Sequence, residues 1–283
     1  MKNGIRIIKE KADAKTYLGL AILLYLLWTI VTFLFEGNIN TLNSGSGFQR
    51  LFYATIVNIF LGTMIAGLLV QFGLKQGLFS KATIGLSGLK RTIVMTSLAI
   101  SGSLLIFFLQ GVPSTHPMVL FNGFAQVFPT TVAEVFICWV LIGSASKAVF
   151  ADTHPRINTL LLILTSSLVF GLYHFAHSAP FNTWSMVGLL TIIGLFTSFF
   201  YFIGRDIFST IIFHNMMATN GVLASIKQGS FVTPQIFLIA LMILSFIVYI
   251  VFVTRIYQQS VDSMRKLELS FNKIMKTKKE VKN

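Results

Sequence analysis

The sequence predicts an all-α fold of the polytopic membrane type: a bundle of about eight transmembrane helices with both termini cytoplasmic. Three observations predict it. Of the 283 residues, 54% are hydrophobic and only 11% charged, with a mean hydropathy of +0.78, whereas a soluble domain carries about 25% charged residues. The apolar residues fall in runs close to the ~20 that cross a bilayer core as a helix. Threading those runs through a membrane also collects nearly all lysines and arginines on one side, as the positive-inside bias requires.

The first run, 17–35, follows a basic N-terminus. It is too long for a signal-peptide core and no small-x-small cleavage site follows it, so it reads as a retained span. The second, 51–73, fills the charge-free interval between Arg50 and Lys75. The third and fourth, 93–112 and 118–145, share the stretch from Arg91 to Glu134, which holds no other charge. The fourth is unusually long and contains Pro129, which predicts a kink or a partly re-entrant path. The remaining spans are 158–177, 184–203, 207–226 and 234–254, the seventh interrupted by Asn215, Asn220 and Gly221.

With the N-terminus inside, 20 of the 22 lysines and arginines lie on the inner side, and only Arg50 and Lys227 lie outside. That split accounts for the formal charge of +13 by anionic lipid, so no nucleic-acid partner is needed. Residues 1–254 read as one transmembrane domain and 255–283 as a basic cytoplasmic tail. In the tail, Met264, Leu267, Phe271, Ile274 and Met275 recur at helical spacing, the pattern of an amphipathic helix lying on the inner leaflet. The one cysteine, Cys138, excludes an intramolecular disulfide and a four-cysteine zinc site.

Chemistry is sought in the polar residues that the membrane should exclude. An ionisable side chain inside a span costs roughly 3 to 10 kcal/mol unless paired, neutralised or hydrated. Glu134 stands mid-span as the only acid between Glu36 and Asp152. His174 and His177 end the fifth span, and His214 lies in the seventh. A buried carboxylate with no basic neighbour in sequence must be satisfied from another span, and His174 and His214 are the natural donors. His177, near the interface, reads as simply hydrated or, sharing a helix face with His174 at i and i+3, as a supporting ligand. A carboxylate and an imidazole in a partly wet, low-dielectric cavity can share a water and raise its nucleophilicity. A second histidine with an amide from Asn215 or Asn220 can support an oxyanion. The same Glu134, His174 and His214 can instead hold a divalent ion such as zinc, so the cofactor stays open. Cys138, one turn after Glu134, reads as a thiol nucleophile or as plain packing. His116 and His154 fall in loops and receive no role. Helix rise leaves one tension: His174 lies ~21 Å from the inner end of its span and His214 only ~10 Å, so they meet only if helices tilt or span edges shift.

These segments resemble the CPBP family, which includes type II CAAX-prenyl proteases and bacteriocin-processing or self-immunity proteins. The family's motifs are Glu-Glu-x-x-x-Arg, then Phe-x-x-x-His, then a later His with Asn or Asp four residues on. Phe170-Gly-Leu-Tyr-His174 fits the second motif, and Glu134 and His214 stand at the right distances for the first and third. The resemblance covers about 90–226. It departs at Ala133 and Cys138 if Glu134 is the second Glu of the first motif, or at Val135 and Trp139 if it is the first, where the family has a Glu and an Arg; Ala218 stands where the family has Asn or Asp.

The resemblance implies an enzyme with Glu134 and His174 activating water and His214 supporting the oxyanion. It acts on a carbonyl of a lipid-modified or membrane-inserted peptide or lipoprotein, in a bacterial cytoplasmic membrane. It also admits a branch linked to lipoprotein N-terminal acylation, and a non-catalytic immunity or regulatory role with a membrane-protein partner.

Overall fold

A membrane helix bundle needs each helix to turn its small or polar face inward and its large apolar side chains to lipid. The first span shows the pattern. Ala14, Tyr17, Ala21, Leu24, Trp28 and Thr32 form a buried stripe at helical spacing, while Leu20, Leu23, Leu27 and Ile30 stay exposed. The computed structural model describes residues 2–38, 47–225 and 231–258. Among them, eight helices are long and apolar enough to cross a membrane: Asp13–Gly37, Phe48–Lys75, Leu89–Leu109, Pro117–Val149, Pro155–Ala176, Trp184–Ile203, Ile207–Ala224 and Ile236–Gln258. All eight predicted spans are present, with edges within four residues of the expected ones. No strand occurs among the described residues. The amphipathic stretch expected in the tail lies outside them.

The fourth span is the pillar of the bundle. Every side chain from Thr131 to Ser146 is buried. It does not re-enter as Pro129 suggested; helix continues through the proline from Pro117 to Val149. Its irregularity comes later, as a π-helical stretch at Val135–Leu141 directly after Glu134. The second span meets it at Gly62, where an added Cβ would lie 2.3 Å from the Cβ of Ala133. Trp28 stacks on Tyr173 at 3.8 Å between ring centroids, which ties the first span to the fifth. Phe252 of the eighth packs on Phe136 of the fourth.

The end of the bundle carrying Lys75, Lys81, Lys90, Arg91, Lys147, Arg156 and Arg205 is closed by hydrogen bonds. The Ile207 amide donates to the Gly85 carbonyl at 3.0 Å, and Ser87 Oγ donates to the Arg205 carbonyl at 2.6 Å. Arg91 donates to the carbonyls of Ile203 and Gly204. Asp206, fully buried, accepts from Thr92 Oγ1 and from the Ser209 amide, the latter an N-cap on the seventh helix. This joint ties the start of the seventh span to the 83–92 segment. The helix-rise difference does not keep the histidines apart, since both reach Glu134.

Candidate active site

Glu134 belongs to the pillar, His174 follows the last residue of the fifth helix (Pro155–Tyr173), and His214 sits two turns into the seventh. All three are buried. His214 Nε2 lies 2.9 Å from Glu134 Oε2, and His174 Nε2 lies 3.7 Å from Glu134 Oε1. The carboxylate is thus flanked by imidazoles from two other spans.

Thr197 Oγ1 lies 3.0 Å from the Ile193 carbonyl and 3.1 Å from His214 Nδ1, so the ring is held between this hydroxyl and Glu134 Oε2, 2.9 Å from Nε2. The ring of His174 is oriented in the same way: Nδ1 donates to the Phe170 carbonyl at 3.0 Å, which turns the Nε2 lone pair toward Glu134 Oε1. At 3.7 Å these two acceptors are too far apart for a direct hydrogen bond. They converge on one position, where a single proton donor or cation reaches both.

Aromatic edges hold the rings. Phe170 lies with its centroid 4.7 Å from that of His174 and 4.6 Å from that of His214. Trp139 packs against His214 and donates Nε1–H to Ser198 Oγ at 2.8 Å. The π-helical stretch explains why Trp139, five residues after Glu134, meets the site. Cys138 is fully buried and is absent from the described lining of the cavity.

The triad stands at the bottom of a cavity of about 430 Å³. His177, expected at a hydrated interface, is instead buried and lines it. The short 3₁₀ turn His174–Ala176 folds the chain back so that the two rings stack at 5.0 Å. Asn220 also lines the cavity and donates to Gln110 Oε1 at 2.6 Å. Asn215 does not line it, and its amide donates to the Phe124 carbonyl at 3.2 Å. Two lining atoms, Thr131 Oγ1 and His177 Nε2, have no hydrogen-bond partner among the described residues.

Donor atoms of Glu134, His174 and His177 lie within 4.8 Å of one another, whereas His214 uses Nε2 on the carboxylate. By donor type and spacing the first three fit a divalent ion, and the Phe170 carbonyl on His174 Nδ1 is the outer contact such a ligand needs. The roles of Thr131 and Thr197 and the contact of Trp139 were not legible in the amino-acid pattern, because single hydroxyls in apolar spans carry no signal of their own. Nor was that of Glu36, a second buried carboxylate, which accepts from Ser178 Oγ at 3.0 Å beside His177.

Comparison with known proteins agrees with this chemistry. Residues 145–220, which include His174 and His214, match the family described as Rce1-like, type II CAAX prenyl endopeptidase. The chain is therefore a multi-pass membrane protein with a segment that matches a membrane-protease family and a Glu/His/His cluster. The match begins after Glu134, so the carboxylate is placed by the geometry alone. No curated protein and no solved structure matches the chain.

Proposed function

We propose that the protein is a membrane-embedded enzyme acting on a carbonyl of a lipid-modified or membrane-inserted peptide or lipoprotein. One observation carries the reading: Glu134 Oε1 and His174 Nε2 converge to 3.7 Å beside the 2.9 Å contact of Glu134 with His214. A water placed there gives its proton to this pair as its oxygen bonds to the carbonyl carbon. The oxyanion is stabilised by hydrogen bonds from the remaining cavity donors. When the carbon–leaving-group bond breaks, the site returns the proton to the leaving nitrogen, oxygen or sulfur. An amine attacking in place of water gives acyl transfer through the same steps, the N-acylation alternative.

The test is the purified protein in proteoliposomes with a panel of peptides carrying prenyl, diacylglyceryl or no lipid, read by mass spectrometry. A shortened peptide identifies hydrolysis, and a product gaining an acyl mass identifies transfer. Either product is expected to vanish with His174→Ala. Product formation unaffected by that substitution would overturn the reading. Absence of any product, with retained capture of a membrane-protein partner, would favour the non-catalytic immunity or regulatory role.

The Glu134, His174 and His177 donor set favours a second reading of the same site. A divalent ion held there would polarise the carbonyl or lower the pKa of a bound water. Chelation is then expected to abolish product formation and added Zn²⁺ to restore it. His177→Ala should lower metal content by about one ion per chain, measured by elemental analysis. Full activity in chelator would leave the metal-free route.

A further inference from the structure

The cavity has a direction. Its described lining comes from the end of the third span (Gln110, Gly111), the turn after the fifth (Pro180, Phe181) and the facing halves of the fourth, sixth and seventh spans. No residue of the 76–88, 150–154 or 204–206 segments contributes. Those segments form the opposite end, where the Asp206 joint and the Gly85 and Arg91 contacts seal the bundle. The sealed end carries Lys75, Lys81, Lys90, Arg91, Lys147, Arg156 and Arg205, while the cavity end has Arg50 alone among described residues. Basic residues in short loops mark the cytoplasmic side. The sealed end is therefore the cytoplasmic one.

The wall between mouth and triad is also informative. Met186, Leu189 and Ile193 of the sixth span face Met217 and Val222 of the seventh. This surface accepts a hydrocarbon chain and offers little to a soluble peptide. At the mouth, the paired amides of Gln110 and Asn220 supply the hydrogen-bonding group that an amphiphile's polar part would meet.

Building on the functional reading above, we infer that the centre is entered from the extracytoplasmic side and takes an acyl-chain amphiphile presented from that leaflet. A segment displayed on the cytoplasmic leaflet meets the closed end of the bundle. The substrate is thus a molecule that has already been exported, and the reaction preceding this one delivers a lipid chain and its carbonyl to the outer leaflet.

Membrane-impermeant maleimide on intact bacterial cells tests the direction. Asn182→Cys, in the exposed turn at the mouth, is expected to label in intact cells. Ser80→Cys, exposed at the sealed end, is expected to label only after permeabilisation. The native Cys138, fully buried, does not interfere. The reverse pattern would overturn the inference. This readout needs no activity, so a failed catalytic reading and a failed orientation give different results. A second arm tests the chain. Labelling of Asn220→Cys is expected to slow about tenfold with a palmitoylated peptide and to be unchanged with the same peptide unacylated. Equal effects of the two peptides would remove the acyl-chain specificity.

Discussion

Replacing Glu134 by Gln is expected to lower the rate of product formation about 10³-fold, the size of a lost general acid–base step. His214→Ala should cost a similar factor. The informative measurement is the double variant. Glu134 and His214 are in direct contact at 2.9 Å, so if they act together removing either disables the same step, and the second loss has little left to remove. The double variant is therefore expected to fall no further than the worse single one, as groups acting as a unit do. Gln keeps the volume of the glutamate and its amide can donate to a ring nitrogen, so melting in detergent should change little for Glu134→Gln. If the two losses instead multiply, the residues act at separate steps, and the Glu134–His214 contact does not work as a unit.

Much of the bundle was legible because hydrocarbon forbids charge. The intervals from Arg50 to Lys75 and from Arg91 to Glu134 delimit helices almost without further argument, and the count of eight follows. The isolation of Glu134 in sequence was equally readable, since a lone carboxylate in lipid demands partners, and the histidines were the only ones at hand. What could not be read depends on tertiary detail. The start of the helix that carries His214 is held by Asp206, Thr92 and the Gly85 carbonyl, polar groups far apart in the chain. Cys138 and Trp139 exchange expected places because a π-helical stretch adds a residue to the turn, which no periodicity announces. His177 is buried by a 3₁₀ turn only three residues long, below the resolution of pattern reading. Glu36, at the end of its span, resembled an ordinary interfacial acid until the 177–178 turn closed over it.

Ala133→Glu, which would restore a second adjacent carboxylate, is expected to prevent folding rather than to raise activity. Ala133 is fully buried. It faces Gly62 so closely that a Cβ on the glycine would stand 2.3 Å from the alanine methyl and 3.2 Å from its Cα. Close approach of this kind between small residues is how membrane helices associate without a hydrophobic driving force. Forcing a longer side chain into the contact costs about 1–3 kcal/mol from overpacking. A carboxylate left there without a partner adds several more, against a total stability of order 5–15 kcal/mol. The expected result is loss of the monodisperse peak in size-exclusion chromatography, or a melting temperature lowered by more than ~10 °C. Ala133→Gly, which keeps the contact open, should cost only about 1 kcal/mol. Gly62 and Ala133 commit the second and fourth spans to close contact at the position where a second carboxylate would sit. A stable Ala133→Glu protein with unchanged melting would show that this contact is not made, and would reopen the question of how many carboxylates the site can hold.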